Sequence, residues 1–340
     1  MRRILMIIII SSAVTVAGLY WVLNSKTVTE KIIPPVANLF LKDIRITDLL
    51  LAKQRFKING SSEFDKLMIK LRDKTGEMAI AVDRLQVSSI YALFSKDQPI
   101  KIHVQNGTFM GFDLVIEDIQ YDGVLTRREE DNFEINGDLS INNATTQKLT
   151  ASEISAHIEG MVDDFNLSPI TAVFYGGSVS ATVSCKPEQQ GYVNLILALE
   201  SVDISELAKD RPDLFAQVDG IANITIAMEA AEGNITDIQA DMVMTKDSRI
   251  NAALLQFVVA YIPQSAERKE LALLVEHQGR IDLDKAIAKV TNIDSEKITL
   301  ALQLASKRIN LDLNLTLDLI VEGGFMNILM LTDKNRQTRS

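Results

Sequence analysis

The chain has 340 residues, 47% of them hydrophobic but only 6% aromatic, with a single cysteine and a formal net charge of −10 at pH 7. That balance argues against a nucleic-acid binder, because phosphate contacts call for a surplus of Lys and Arg on some face. One cysteine excludes an intrachain disulfide, so the fold rests on burial and hydrogen bonding without a covalent staple.

After Met1-Arg2-Arg3 comes a run of twenty uncharged, mostly apolar residues, Ile4 to Leu23. Twenty helical residues at about 1.5 Å each span roughly 30 Å, the hydrocarbon thickness of a bilayer. Arg2 and Arg3 on the short side predict a cytoplasmic N-terminus, with the body carried across the membrane. Tyr20 and Trp21 fall where an interfacial aromatic belt is expected. The competing reading is a cleaved signal peptide, whose apolar region runs about 7–15 residues to a small-x-small site. Ala13 to Gly18 offers small residues, but the apolar run continues to Leu23. Either reading exports the body. The expected organisation is a cytoplasmic stub at 1–3, a transmembrane anchor at 4–23 and a linker at 24–35. A β-rich body follows at 36–331, then a polar tail at 332–340. A disulfide-free exported body of this size fits a bacterial periplasmic protein, single-pass in the inner membrane.

Within the body the dominant period is two. A short helix is expected over Val87–Ser95, before Asp97-Gln98-Pro99. Ile100, Ile102 and Val104 then alternate up to an expected turn at Asn106-Gly107, and Phe133, Ile135, Gly137, Leu139 and Ile141 form the next series. Val179, Ala181, Val183 and Cys185 alternate with polar or small residues. Asp203, with Glu206 three residues on, predicts a capped helix start. Ala222 to Met228 and Ile238 to Met244 alternate again. Helices are expected over Arg249–Tyr261, closed by Pro263, and over Ala266–Glu276. The strictest series is the last: Ile309, Leu311, Leu313, Leu315, Leu317, Leu319 and Val321, with polar residues between most of them. Such alternation sets one strand face against apolar matter and leaves the other in water. Asn59-Gly60, Asp122-Gly123, Asn136-Gly137, Gly176-Gly177, Asp219-Gly220 and Gly233-Asn234 are expected turns. Together these predict a mainly β, meandering antiparallel sheet with a few short helices.

No catalytic constellation is present in the sequence. His103, His157 and His277 are isolated, without a second ligand at metal-binding spacing, and read as outward strand residues or satisfied core histidines. Cys185 has no CxxC partner and reads as a buried, inert thiol. The acidic clusters Glu129-Glu130-Asp131 and Asp163-Asp164 lack calcium-loop spacing and read as solvated turns. The expectation is a protein that is not an enzyme and needs no cofactor.

Phe174-Tyr175-Gly176-Gly177-Ser178-Val179-Ser180-Ala181 resembles the tyrosine-glycine-glycine hairpin of the AsmA family of bacterial envelope proteins. The similarity continues through Val193–Leu199, Val202-Asp203-Ile204-Ser205-Glu206-Leu207 and Asp219-Gly220-Ile221-Ala222-Asn223-Ile224, covering Leu167 to Ala231. The helix-then-strand step from Ile90 to Val104 and the N-terminal anchor are also similar. The chain departs from the family in being much shorter than its large members and in its helical reading at 248–279. The hairpin motif, Tyr175, Gly176 and Gly177, is structural and transfers no catalytic residue. What the resemblance implies is an elongated sheet curled into a groove whose apolar inside holds lipid acyl chains. The face expected to line it comprises Val179, Ala181, Val183, Ile224, Ile226, Leu311, Leu313, Leu315 and Leu317. The implied partners are a phospholipid or other envelope lipid, the inner membrane and other envelope proteins. The residues themselves leave two readings open. Aliphatic inner faces suit fluid lipid chains, and they equally suit a closed β core in an anchored assembly protein that works through protein contacts.

Overall fold

The computed structural model describes residues 45–320, apart from 58–59, 73–75, 90–91, 93–94, 112, 129–131, 147–148, 162, 187–190, 232–233, 246–247, 260–265, 278 and 295–296. The expected anchor, linker and tail lie outside the described residues, as do residues 90–91 and 93–94 of the short helix expected over Val87–Ser95 and the cluster at 129–131. Among the described residues no helix is long and apolar enough to cross a membrane.

The chain falls into two compact units. One reaches to Ala172 and includes Val183–Glu188; the other comprises Val173–Thr182 and the residues from Gln189 on. In chain order the strands begin with β1 (Arg45–Leu50), β2 (Lys53–Phe56), β3 (Ser62–Arg72), β4 (Glu77–Val87) and β5 (Pro99–Gly111). They continue with β6 (Leu114–Arg127), β7 (Phe133–Thr146), β8 (Leu149–Met161), β9 (Asp164–Phe174), β10 (Gly177–Lys186) and β11 (Tyr192–Asp203). Two short helices, α1 (Ile204–Asp210) and α2 (Pro212–Phe215), precede β12 (Val218–Asp219), β13 (Ile221–Ala231), β14 (Asn234–Met244) and β15 (Ser248–Asn251). A 3-10 turn at Ala252–Leu255 leads into α3 (Gln256–Val259) and α4 (Ala266–Glu276). Last come β16 (Arg280–Leu283), β17 (Lys285–Asp294), β18 (Lys297–Ser306) and β19 (Leu311–Ile320).

Sixteen strands form one open antiparallel sheet in the order β1-β3-β4-β5-β6-β7-β8-β9-β10-β11-β13-β14-β17-β18-β19, with β2 also on β3; β12-β15-β16 form a small separate sheet. The mainly β class read from the period-two pattern is therefore the observed one.

In the first unit the alternation becomes apolar rows that cross the strands. Ile69, Ile80, Phe109, Ile116, Ala144 and Ala151 are successive cross-strand partners. Leu85, Val104, Tyr121, Leu139 and Ala156 form another row. Such pairs are the unit of sheet stabilisation, each worth roughly 0.2–1 kcal/mol relative to a pair of alanines. Cys185 and Phe165 are also buried in this unit, and burial pushes the Cys185 thiol up to about 11.

Three expected turns lie inside strands. Asn106 takes a left-handed φ of 52° within β5, and the register slips between Val104 and Gly107, so Asn106-Gly107 is a bulge. Gly123 and Gly137 face each other across β6 and β7. A Cβ on Gly137 would stand 2.7 Å from the Tyr121 hydroxyl, and one on Gly123 would overlap it outright. Glycine here makes room for a ring laid across the sheet, the usual meaning of glycine in a strand interior. Two expected helices start otherwise than their sequence predicts. The segment from Val87 begins as the end of β4, and Arg249–Tyr261 opens as strand β15 before turning through the 3-10 turn into α3. Asn251 causes that change: its side chain accepts from Ala253 N at 2.9 Å and caps the turn. The helix expected over Ala266–Glu276 is present as α4.

Candidate functional site

The second unit presents a continuous apolar face built from cross-strand rows. The first row is Val202, Ala222, Met244, Ala286, Leu304 and Leu313; the second is Leu199, Ile224, Met242, Ala288, Leu302 and Leu315. A third holds Leu197, Ile226, Ala240, Val290, Leu300 and Leu317. Five of the nine residues expected to line a groove thus fall into shared rows: Ile224 with Leu315, Ile226 with Leu317, and Leu313 in the first. Leu311 sits at the strand end opposite Ser306. In β10, Val179 is half-buried while Ala181 and Val183 are buried, and Val183 belongs to the first unit. Leu311, Leu313, Leu315 and Leu317 of β19 are half-buried, and Asp312, Asn314, Thr316 and Asp318 are exposed, as their alternation predicts.

Burial across this face is graded. Val202, Ala222, Met244, Ala286 and Leu304 of the first row are all at most 6% exposed. The residues of the second and third rows are all half-buried. A cover lies against part of this face. It consists of the small sheet, the 3-10 turn and α4, and its own apolar side chains Ile250, Ala252, Leu255, Leu271, Ile281 and Leu283 are buried. Backbone bonds anchor it: Asn251 N donates to Gln217 O at 2.8 Å and Ala252 N to Gly279 O at 2.8 Å. Asp219 adds ion pairs with Arg249 and Arg280 from the other two strands of the small sheet. Between cover and sheet lies a cavity of about 350 Å³, walled by aliphatic and methionine side chains that include Met242, Ile250, Leu254, Ala288, Leu302 and Leu315. Sequence reading missed β17, β18 and the cover's part in this cavity. Ile298, Leu300, Leu302 and Leu304 do alternate, but Ala301 stands among the residues between them and weakens the contrast; in β17, Ile287 blurs the pattern further.

The hairpin motif is joined to α1 rather than to this face. Tyr175 and Gly176 turn the chain with φ of 44° and 75°. The Tyr175 hydroxyl donates to Asp210 Oδ2 at 2.6 Å, and Asp203 N donates to Tyr175 O at 3.0 Å. Asp203 caps α1 by accepting from Ser205 N and Glu206 N, the start its sequence predicts.

The histidines have partners on solvated surfaces. Glu63, Gln86, His103, Asp122, Asp138 and His157 form one polar row of the first unit. His103 Nδ1 is bonded to Asp122, His157 Nδ1 lies 2.7 Å from Asp138 Oδ1, and His277 Nδ1 is 2.8 Å from Leu273 O. His103 and His157 are outward strand residues, one of the two readings given above. In the acidic pair, Asp163 accepts from Asn132 at 3.3 Å and Asp164 pairs with Lys186 at 3.1 Å.

No family model, curated protein or solved structure matches the chain.

Proposed function

We propose that this protein holds lipid acyl chains against the apolar face of its second unit. In this reading it is an inner-membrane-anchored periplasmic protein that binds or transfers lipid and contributes to envelope or outer-membrane biogenesis. One observation carries the proposal: the second and third apolar rows stay half-open. A core closed by the protein's own side chains would bury all three rows alike, yet rows holding Leu199, Ile224 and Leu315, or Ile226 and Leu317, remain partly accessible. Contiguous apolar surface of this kind marks a site for an apolar partner. A curl of the sheet into a groove, an anchor at Ile4–Leu23 and the resemblance of Tyr175-Gly176-Gly177 to the AsmA hairpin are expectations that belong to the same reading.

The test compares the two faces of one sheet. The full chain is purified in parallel as wild type, Leu315→Asp and Val243→Asp, and bound lipid is quantified after solvent extraction. Val243 lies on the opposite face and is 45% exposed, so its variant controls for lipid carried by the anchor. Lipid lost only from Leu315→Asp supports the reading. Equal lipid in all three folded proteins overturns it and favours an assembly role.

A further inference from the structure

We propose that a polar cleft of the first unit binds a small phosphate monoester that also carries an amine, a site separate from the apolar face and independent of the lipid reading. The cleft holds about 620 Å³, a size suited to a small molecule. It lies over the polar row that runs from Glu63 through Gln86, His103 and Asp122 to Asp138, with Arg55 opposite Glu63 at its start. Part of the local charge is already matched. Arg55 and Arg84 each lie 3.2 Å from Glu63, and 3.8 and 3.6 Å from Asp65, so two cations close on two anions. What remains in the lining is Lys57 and Lys101 on the positive side and Asp122 and Asp138 on the negative.

Each pole asks for one kind of group. Lys57 N donates to Ser61 O and Ser88 N to Lys101 O, both at 2.9 Å, which sets the two lysines and two serines in the row beside the first. Neither lysine ammonium has an ion-pair partner among the described residues. Ser88 Oγ accepts from Lys101 N at 2.9 Å, which leaves its O–H to donate. Two ammonium groups and a hydroxyl call for a dianion with several acceptor oxygens, and phosphate is that group. At the other pole Asp122 and Asp138 face each other across β6 and β7, where like charges repel. His103 and His157 each hold one carboxylate by its Oδ1, and neither Oδ2 has a hydrogen-bond partner among the described residues. An ammonium group between the carboxylates replaces their repulsion with charge-assisted bonds. A simple anion would meet the aspartates and a simple amine the lysines. A molecule carrying both groups matches both poles.

The experiment titrates the full chain in amphipol against three probes followed by phosphorus NMR at low ionic strength, where exposed charges are least screened. The probes are phosphoethanolamine, ethyl phosphate, which lacks the amine, and glycerophosphoethanolamine, the diester form found in a lipid headgroup. Lys101→Met and Asp138→Asn accompany the wild type; both positions are exposed, so the fold tolerates them. Phosphoethanolamine is expected to bind the wild type about tenfold more tightly than ethyl phosphate, the worth of one charge-assisted contact. Asp138→Asn should close that gap, whereas Lys101→Met should weaken both probes about tenfold and keep it. The diester, with one negative charge fewer, should bind more weakly than the monoester; equal or tighter binding would give the site to a headgroup and overturn the monoester. No binding, or equal binding of phosphoethanolamine and ethyl phosphate to the wild type, would overturn the two-pole site. A gap that survives Asp138→Asn would overturn the seat of the amine. None of these outcomes bears on the lipid lost from Leu315→Asp, so the two readings fail separately.

Discussion

Tyr121 shows how one side chain sets the character of two strands. Its ring lies over Gly123 and Gly137, and its hydroxyl is buried without a hydrogen-bond partner among the described residues. A buried, unmatched hydroxyl costs about 1–3 kcal/mol, so Tyr121→Phe is expected to raise stability by about 1 kcal/mol in chemical denaturation. Gly137→Ala should do the opposite, by about 1–3 kcal/mol, because its Cβ would meet Asp122 O at 2.6 Å, where backbone cannot yield. Burial, with the Asp138 carboxylate as a second cause, also raises the Tyr121 phenol above the ordinary tyrosine range. The buried Cys185 thiol is raised from 9.0 to about 11. Both groups hold their protons longer folded than unfolded, so their contribution is fully present below the unfolded values and is lost as pH rises. For Cys185 the loss falls between about pH 9 and 11, and Cys185→Ala should flatten the stability profile in that window.

The hairpin into α1 is the element where local sequence and structure agree most closely. Gly177 packs so tightly on the next strand that a Cβ would overlap Glu200 O and stand 2.8 Å from Val202 N. Gly177→Ala is therefore expected to destabilise by about 2–3 kcal/mol, with Asp203→Ala costing about 1 kcal/mol through the lost cap; thermal unfolding of both variants checks the order. Capping chemistry and strict alternation act within a few residues, which is why α1 and β19 could be read directly from sequence. Asn106-Gly107, Asp122-Gly123 and Asn136-Gly137 could not. Each carries a turn dipeptide, but long-range neighbours, Ile119 for the first and Tyr121 for the others, turn the glycines into points of close approach inside strands. The cover failed for a related reason. Arg249 to Val259 has helical composition, while pairing of Ile250 with Val218 and Ile281 draws its first residues into a sheet.

At the scale of the whole chain, the candidate face was legible as a set of outward or inward positions, but its graded cover was not, because alternation reports which side a residue takes and not what lies opposite. That gradation has a mechanical consequence. Leu304 and Leu317 are chemically identical, two rows apart, on neighbouring strands. Leu304 lies under the cover at 5% exposure, whereas Leu317 is half-buried. Leu304→Ala should cost about 3 kcal/mol, since it removes contacts from a closed site and leaves a void, and Leu317→Ala only about 1 kcal/mol. Bound lipid should respond the other way at Leu317→Asp, where charge meets the open rows while the covered row still holds the fold. Guanidinium unfolding of the two alanine variants decides the matter: equal losses would mean that both rows are enclosed alike, and the support for an open lipid-binding face would be gone.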